Sequence, residues 1–312
     1  MGPEVGDVII SSELKAHGRL AVGAEDLDLR HTLTPGQSFR WREDDLGRWT
    51  GVVGRKVVRL WREGEDILYQ VFQSDRSDES DGSDGEMIAD YLRLDVDLQA
   101  LYADFRAADE HIRGAIDRLR GLRVLRQDPE ETLLSYVFTA ANSLRRIIPA
   151  IEEVSRRFGD PIAEVDGRTY YSFPTAQALA NAHPDDLRCI GGVCFRGPNL
   201  HSVARVILHH PPGWAAGLRE RSYEEARAEL LGIKCIGRKI ADCALLFSMD
   251  KDQAFPVDTH IRQVAVQYYV PEFKQKTLTP AVYEAIVAFF QEKFGPHAGW
   301  AQEYLFYDDL GR

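Results

Sequence analysis

The first third of the chain alternates hydrophobic and polar residues in short runs that predict β-strands. Each run is rich in β-branched or aromatic residues, and the intervening segments DDLG, GR and EGE are typical turns. Strands with one buried and one wet face favour an antiparallel meander over a parallel sheet. The predicted strands are SFRWRE (38–43), RWTGVVG (48–54), KVVRLWR (56–62) and DILYQVFQ (66–73).

The pattern becomes helical from Met87 onward. The Ser/Asp/Gly-rich stretch 74–86 has no periodicity and predicts a solvated loop. After it, hydrophobic residues recur at steps of three and four, as on one face of a helix. Asp128 and Pro129 predict one helix start, as the cap and the first-turn residue. Helices are predicted over residues 87–94, 97–121, 129–159, 175–182, 222–232, 238–249, 258–269, 279–295 and 297–310.

The two patterns together predict an α+β architecture. We expect an N-terminal antiparallel β-sheet domain with flanking helices over residues 1–110, followed by a mostly helical body over residues 111–312. The chain has 312 residues, of which 44% are hydrophobic and 28% charged, an ordinary globular composition. It has no apolar run of membrane-spanning length and no N-terminal signal pattern, so we expect a cytoplasmic protein without a membrane partner.

The four cysteines do not have the spacing of a metal site. They lie at positions 189, 194, 235 and 243, and these spacings match neither a zinc-binding nor an iron–sulfur pattern. We therefore expect free thiols in a reducing compartment and no bound metal.

The net charge of −11 argues against a nucleic-acid partner, but the charge is unevenly distributed. Residues 74–86 contain six acidic residues and one arginine, which together contribute −5. Residues 111–157 contain nine arginines and six acidic residues, which together contribute +3. This distribution predicts a basic patch within an acidic surface. Such a surface would also suit a protein that works in high salt.

The most unusual local feature is a lysine in the first turn of an apolar helix. The segment SYEEARAELLGIKCIGRKIADCALLFSM predicts two helices joined by the tight turn IKCIG, in which Gly237 can adopt a positive φ. Backbone N–H groups at the start of the second helix suit a phosphate. Lys239 lies in that first turn and shares a helix face with Cys243. It is either an ordinary surface lysine or a nucleophile, because the positive end of the helix dipole favours the neutral amine.

An aspartate follows Lys239 in the segment FPVDTHIRQVA. Pro256 favours extended backbone before it, and Asp258 is placed to cap the next helix. A carboxylate held by helix N–H groups also stays ionised, as is needed beside a developing sugar cation. His260, in the first turn, is placed to donate to a phosphate. The residues alone leave the capping and catalytic interpretations of Asp258 open.

These features resemble the active-site segment of the helix-hairpin-helix DNA glycosylases. The likeness rests on the turn with its glycine, the lysine just after it and the later PVD aspartate. Further segments are similar, in order and spacing, to the 8-oxoguanine DNA glycosylase branch, and the resemblance covers nearly the whole chain. These segments are PGQSFRWRE, YLRLDVDLQALYADF, LRVLRQDPEETLLSYVF, DCALLFSMDKDQAFPVDTHI and FGPHAGWAQEYLF.

The resemblance implies a bifunctional glycosylase and AP lyase that excises 8-oxoguanine from duplex DNA. Lys239 matches the lysine that attacks C1′ of the damaged nucleoside, displaces the base and forms a Schiff base, whose β-elimination cuts the strand. Asp258 matches the aspartate that stabilises the sugar cation. Because chemistry at C1′ needs the nucleotide out of the stack, we expect a cleft between the lobes of the helical body. The implied partner is duplex DNA with 8-oxoguanine opposite cytosine.

The resemblance also implies a base-recognition pocket. Phe306 matches the aromatic residue that stacks on the extruded purine, and Gln302 matches the amide that reads its Watson–Crick edge. Cys243 matches the thiol on the other face of the base. Gly36 matches a glycine whose carbonyl accepts from the N7–H of 8-oxoguanine and repels the N7 acceptor of guanine. From the residues alone, Gly36 is a turn glycine.

A second set of residues is implied in binding DNA outside the pocket. Arg146 and Arg196 match residues that read the estranged cytosine, because the arginine fork suits the acceptors of an unpaired base. Phe195 matches the wedge that fills the vacated stack. The remaining implied DNA contacts are Asn142, Gly237 and His260.

Two sites depart from the family pattern. The asparagine expected before Asn142 is Ala141, which removes one contact to the estranged cytosine and relaxes the opposite-base preference. In the turn, the usual proline and first glycine are Lys234 and Cys235, and a cysteine at positive φ costs about 1–2 kcal/mol. We expect no cofactor, with a structural monovalent cation at this turn as the only candidate.

Two alternatives stay open. A monofunctional glycosylase for alkylated purines shares the fold but lacks the lysine, so Lys239 argues against it. A non-catalytic damaged-DNA-binding protein fits the net charge of −11 and the altered turn, but it does not account for Lys239 and Asp258 at functional spacing. We also expect a monomer, and the absence of a basic targeting cluster favours a prokaryotic source.

Overall fold

The protein consists of a sheet domain and a helical body. Its structure, a computed structural model, describes residues 13–34, 36–73 and 83–311, and for residues 13–16 it describes the backbone alone. The sheet strands are β1 (Glu13–Ala21), β2 (Arg42–Glu43), β3 (Trp49–Val53), β4 (Lys56–Glu63) and β5 (Asp66–Gln73). They form one antiparallel sheet in the order β1-β5-β4-β3-β2.

The predicted meander is confirmed for β2 to β5, but two details differ. The sequence of β1, ELKAHGRLA, shows no clear alternation and predicts no strand; pairing with β5 supplies its backbone hydrogen bonds. Within the predicted strand 38–43, only β2 is in the sheet. The preceding Phe39 packs into the core of the helical body instead. Both differences arise from tertiary packing that local periodicity does not report.

Helices make up most of the remaining described chain. As predicted, Pro129 is the first residue of one of them, and Asp128 caps it by accepting from the N–H of Glu131 at 2.7 Å. The helices are α1 (Leu29–Leu33), α2 (Asp84–Tyr91), α3 (Leu98–Ala108), α4 (Glu110–Arg118), α5 (Pro129–Val137), α6 (Leu144–Phe158), α7 (Ala176–Asn181), α8 (Pro184–Arg188), α9 (Arg196–His209), α10 (Trp214–Gly217), α11 (Tyr223–Leu231), α12 (Arg238–Ser248), α13 (Thr259–Val264), α14 (Pro280–Phe294) and α15 (Ala298–Leu310).

The prediction of a solvated loop over 74–86 is wrong at its end, and residues 74–82 lie outside the described residues. Ser83 begins α2 with a capping box: its hydroxyl accepts from the N–H of Glu86, and the Glu86 carboxylate accepts from the N–H of Ser83, both at 3.1 Å. Acidic residues in a first helical turn also complement the helix dipole. The acidic composition therefore favours a helix start at this point.

Two long predicted helices are each divided in two. The helix predicted over 97–121 divides at Asp109, whose extended backbone ends α3 and whose carboxylate caps α4 through the N–H of Ile112, at 3.0 Å. The helix predicted over 129–159 divides between α5 and α6, where Ala141 has a φ of 47°. Both members of each pair pack on the same core, so the hydrophobic period continues across the break and does not reveal it.

A β-hairpin and four helices were not predicted. The hairpin consists of β6 (Pro161–Val165) and β7 (Arg168–Tyr171), and the helices are α1, α8, α9 and α10. The hairpin turn is Asp166–Gly167, with φ values of 52° and 75°, as a type I′ turn requires. An Asp–Gly pair between β-prone residues is a strong hairpin signal, so this element was predictable.

Gln37 fixes the loop after α1 against the helical body. Its Nε2 donates to the carbonyls of Thr32 (3.1 Å) and Arg123 (2.7 Å), and its Oε1 accepts from the N–H of Leu125 (2.7 Å). The side chain is fully buried, so all of its bonds are protected from water. This amide therefore holds the neighbouring Gly36 in a defined position beside the helical body.

The α+β class is confirmed, while the division of the chain after residue 110 stays a prediction. In the described part of the chain, no helix is both long and apolar enough to cross a membrane. All four cysteines are free thiols, as predicted. The described residues contain no group of three or more His, Cys, Asp or Glu that is arranged to hold a metal ion.

Candidate active site

Lys239 lies at the start of α12, on the wall of a cleft. Its Nζ donates to the Thr139 hydroxyl at 3.3 Å and lies 5.0 Å from the centroid of the Tyr136 ring. The side chain is half-buried. Gly237, which precedes the helix, offers no side chain to cap it. Lys239 is therefore surrounded by a hydroxyl and an aromatic ring, and it is not a solvated surface lysine.

Asp258 both caps a helix and lines the cleft, as its position in the sequence suggests. Its carboxylate caps α13 by accepting from the N–H of Ile261 at 2.8 Å. The same side chain lines the cleft that contains Lys239. Because a cap uses only part of the acceptor capacity of a carboxylate, capping and a role in the cleft are compatible.

A buried hydrogen-bond chain connects the two candidate catalytic segments. Asp242, fully buried on α12, accepts from the Tyr283 hydroxyl at 2.7 Å, and that hydroxyl accepts from the N–H of Val257 at 3.2 Å. Arg227 pairs with the Asp242 carboxylate at 2.6 Å. The lysine-bearing helix and the segment that ends in Asp258 are thereby fixed relative to each other.

The cleft has a volume of ≈ 970 Å³ and adjoins a deeper cavity of ≈ 40 Å³. Lys239 and Asp258 line both spaces. Another cleft, of ≈ 990 Å³, lies between the sheet and α5 and contains neither residue, so chemistry rather than volume locates the site. The deeper cavity is lined by all four residues predicted to form the base pocket, Gly36, Cys243, Gln302 and Phe306.

The wall of the deeper cavity suits a flat ligand with N–H groups. Gln302 is 3% exposed, and its Oε1 has no hydrogen-bond partner among the described residues. Burial raises the pKa of Cys243 to about 12, so its thiol is neutral. The Phe306 ring is half-buried beside them. An unused amide acceptor next to an aromatic ring is typical of a site for a heteroaromatic ring.

Gly36 is held between tyrosines from two helices. Its carbonyl oxygen accepts from the Tyr136 hydroxyl at 3.1 Å, which leaves one lone pair for a ligand. A Cβ at this position would lie 2.4 Å from the hydroxyl oxygen of Tyr307, which itself donates to the Thr34 carbonyl at 2.8 Å. Glycine is therefore required here by the close approach of a neighbouring side chain.

Known proteins with the same sequence pattern are DNA-repair enzymes. Two adjoining family models match the chain: 8-oxoguanine DNA glycosylase, N-terminal domain, over residues 19–133, and HhH-GPD superfamily base excision DNA repair protein over residues 134–288. The N-glycosylase/DNA lyase OGG1 of Arabidopsis thaliana is 32% identical over 290 residues, which are 91% of this chain and 78% of the relative. The chain belongs to the 8-oxoguanine DNA glycosylases of the HhH-GPD superfamily.

Two solved structures of this glycosylase family share the fold. MBOgg1, in complex with a low-affinity DNA ligand, has a TM-score of 0.81 at 30% identity, with 96% of this chain and 99% of that chain covered. The Clostridium acetobutylicum 8-oxoguanine glycosylase/lyase, in complex with double-stranded DNA containing cytosine opposite 8-oxoguanine, has a TM-score of 0.80 at 27% identity. The covered shares are 96% of this chain and 98% of that chain.

In this 8-oxoguanine DNA glycosylase the turn before Lys239 differs from the expectation. Gly237 lines the cleft in extended conformation (φ −88°), whereas the positive φ, 78°, belongs to Cys235. Gly237 therefore does not use the positive φ that was open to it, and the strain expected for a cysteine at positive φ applies to Cys235. The Cys235 thiol donates to Oδ1 of Asn199 on α9 at 3.2 Å, which attaches the turn to a neighbouring helix.

The predicted DNA-contacting residues of the glycosylase differ in exposure. Phe195 is 56% exposed, as a wedge requires, and Arg146 is also exposed. Arg196 is only 5% exposed, and its guanidinium donates to the carbonyls of Ala140 (2.7 Å) and Ala141 (2.6 Å). The structure therefore buries Arg196 and uses its fork to hold the turn between α5 and α6.

Asn142 and His260 also line the cleft and have partners within the protein. The Asn142 amide donates to the carbonyls of Phe138 (3.0 Å) and Gly192 (3.1 Å), so it supports the turn between α5 and α6. His260 is exposed, with Nδ1 3.3 Å from Asp309 Oδ2. The position of His260 is open to a DNA phosphate, while Asn142 mainly stabilises the turn.

Among the cavity and cleft residues not predicted from the sequence, three bear on the chemistry: Tyr136, Thr139 and Glu303. Tyr136 and Thr139 contact Lys239, and nothing in their local sequence distinguishes them from core and turn residues. Glu303 is different, because it is an acidic residue within the apolar stretch GWAQEYLF. An acid at a position that the helical pattern predicts to be buried was a usable signal.

Proposed function

We propose that the protein is a bifunctional DNA glycosylase and AP lyase that excises 8-oxoguanine from duplex DNA in base excision repair. The observation that carries this proposal is the placement of Lys239 and Asp258 in one cleft, whose deeper cavity contains the complete predicted base pocket. The Arabidopsis relative, an N-glycosylase/DNA lyase, and the Clostridium complex with 8-oxoguanine DNA support the reaction and the substrate.

The proposed reaction proceeds in steps that the positions of these residues support. An everted nucleotide places its C1′ near Lys239 and its base against the residues that line the deeper cavity, which has to widen beyond ≈ 40 Å³ to admit a purine. The amine of Lys239 then displaces the base and forms a Schiff base. β-Elimination then cuts the strand. The Asp258 carboxylate, held by a helix N–H at 2.8 Å, stabilises the positive charge that develops on the sugar.

Selection of the oxidised base is proposed to rest on the Gly36 carbonyl. One of its lone pairs accepts from Tyr136, and the other is available to the N7–H of 8-oxoguanine. Guanine presents a lone pair at N7, so two acceptors would face each other and guanine would be rejected. Gln302, Phe306 and Cys243 complete the pocket that holds the base.

The alternatives are less well supported by the site. A monofunctional alkylpurine glycosylase needs no lysine in the cleft, and a non-catalytic binding protein needs neither Lys239 nor Asp258 there. Borohydride trapping on an 8-oxoguanine:cytosine duplex separates the three functions. A covalent protein–DNA adduct supports the proposal, base release without an adduct supports the monofunctional enzyme, and binding without either supports the non-catalytic protein.

Gly36→Ala is expected to reduce 8-oxoguanine excision about 10- to 100-fold, because the added Cβ displaces Tyr307 or the recognition carbonyl. Single-turnover excision measures the effect, and strand cutting at a preformed abasic site should change little because it needs no base recognition. Gly217→Ala is the control, since its Cβ would have no neighbour within 4 Å. An unchanged excision rate in Gly36→Ala would contradict the role of the carbonyl.

Ala141→Asn is expected to sharpen the preference for cytosine opposite the lesion by about fivefold, the value of roughly one hydrogen bond. Asparagine tolerates the observed φ of 47° better than alanine, so the variant should fold normally. The ratio of excision rates opposite cytosine and adenine measures the preference. Ala141→Gly relaxes the backbone without adding an amide, and equal ratios for the two variants would contradict the prediction.

Further properties stay proposals. They are a monomeric state, a cytoplasmic, nucleoid-associated location in a prokaryote, and a function without cofactor, with a monovalent cation at the turn before Lys239 as the candidate exception. The plant relative and the bacterial neighbour do not favour one kind of source organism.

A further inference from the structure

Glu303 is a buried acid within the base cavity. It follows Gln302 on α15, is 2% exposed and lines the cavity of ≈ 40 Å³. Its Oε2 has no hydrogen-bond partner among the described residues. Burying a carboxyl oxygen without a hydrogen-bond partner lowers the stability of the fold. Such unfavourable groups are often found in functional sites, and Glu303 shares its cavity with Lys239 and Asp258.

The groups that face Glu303 decide its protonation. Burial, followed by the charge of Asp258, raises the pKa of Glu303 to about 8, and the charge of Lys239 opposes this shift. Cys243 and the tyrosine hydroxyls of Tyr136 and Tyr307 also face it. Burial raises the pKa of each of them well above neutrality. Glu303 is therefore a neutral carboxylic acid at pH 7, able to give up its proton.

We propose that Glu303 is a further catalytic residue, the general acid that protonates the departing base. This inference rests on the proposed function. When the amine of Lys239 bonds to C1′, the C1′–N9 bond breaks and its electron pair leaves with the purine. The proton on the Glu303 carboxyl transfers to the purine anion, which departs as a neutral base. Glu303 is left as a carboxylate, which regains a proton from water after the base has left.

The position of Glu303 suits this step. The acid lies in the cavity that holds the base, so no relay through another side chain is needed. After proton transfer its carboxylate lies in the same cavity as the positive charge formed at the nitrogen of Lys239, and the two opposite charges attract each other. Before transfer the acid is neutral, so it does not repel the electron-rich edge of the purine.

Glu303→Gln tests the proposal, because the amide keeps the shape and a donor but cannot deliver a proton. Single-turnover excision on an 8-oxoguanine:cytosine duplex should fall about 10²-fold at pH 7. The wild-type excision rate should decline as the pH rises through about 8, where the acid form is lost. This decline should be absent in Glu303→Gln, and Glu303→Asp, which keeps an acid, should recover part of the rate.

Strand cutting at a preformed abasic site is the internal control, since no base departs there. Glu303→Gln should lose much less activity on this substrate than on the 8-oxoguanine duplex. A wild-type excision rate in Glu303→Gln, an equal loss on both substrates, or a change in lesion affinity alone would overturn the proposal. Failure of the wild-type protein to excise 8-oxoguanine or to form the trapped adduct would overturn the proposed function instead, so the two failures are distinguishable.

Discussion

Lys239→Gln is expected to abolish the borohydride-trapped adduct and strand cutting, and to slow base excision by at least about 10³-fold. Glutamine is similar in length but has no amine, so neither displacement of the base nor Schiff-base formation can occur. The side chain packs over Tyr136 and bonds to Thr139, contacts that an amide can partly keep. The melting temperature should therefore change little, so the loss of activity would be due to the missing amine and not to unfolding.

Lys234→Gln is the matched control for this experiment. Residue 234 lies in the same turn, is exposed and does not line the cleft, so the substitution removes an equal charge without touching the site. The adduct should persist in this variant, even if affinity for DNA falls at high salt. An adduct that survives in Lys239→Gln would show that another amine is the nucleophile.

Asp258→Asn is expected to lower single-turnover excision by about 10³-fold while lesion binding stays measurable. The reason is electrostatic: the neutral amide cannot stabilise the positive charge that develops on the sugar. Asparagine caps a helix as well as aspartate does, so the bond to the N–H of Ile261 and the start of α13 should be preserved. Excision rates on the 8-oxoguanine duplex measure catalysis, and binding to uncleaved lesion DNA measures affinity separately.

Asp258→Ala separates the contribution of the helix cap to stability from the contribution of the carboxylate charge to excision. Loss of the cap costs about 1 kcal/mol of unfolding free energy, so this variant should be less stable than Asp258→Asn but should excise equally slowly. A wild-type excision rate in Asp258→Asn, together with instability in Asp258→Ala, would reduce Asp258 to a structural cap.

The positions of the proposed catalytic pair and of the proposed base pocket could be predicted from sequence because short motifs place their residues. The spacing of Gln302 and Phe306 on one helix directs both side chains into one cavity, as observed. The lysine after the turn and the capping aspartate were found for the same reason. In the turn, the sequence left the positive φ open between Gly237 and Cys235, and the structure gives that conformation to Cys235.

Other features depend on contacts between distant segments and could not be predicted locally. β1 is a strand because β5 lies beside it. Arg196 was expected to face DNA, yet its burial against the carbonyls of Ala140 and Ala141 follows from how α9 packs on the turn after α5. The protonation of Glu303 likewise depends on burial and on charges from other helices, which no local motif encodes.

The tyrosine contacts around Gly36 have a consequence for how the protein acquires activity during folding. The loop that contains Gly36 is held by the hydrogen bond between Tyr307 and Thr34, which are 273 positions apart in the chain. By contrast, Lys239 lies on α12, and α12 directly follows α11 in the chain. Local contacts form before distant ones in general. We therefore expect the helix that carries the proposed nucleophile to form before the loop that carries the proposed recognition carbonyl is held in place. Gln302 and Phe306 lie on α15 and reach the cavity only when that helix is docked. Under the proposed function, we therefore expect a chain with undocked α15 to lack a base pocket and to remove no bases.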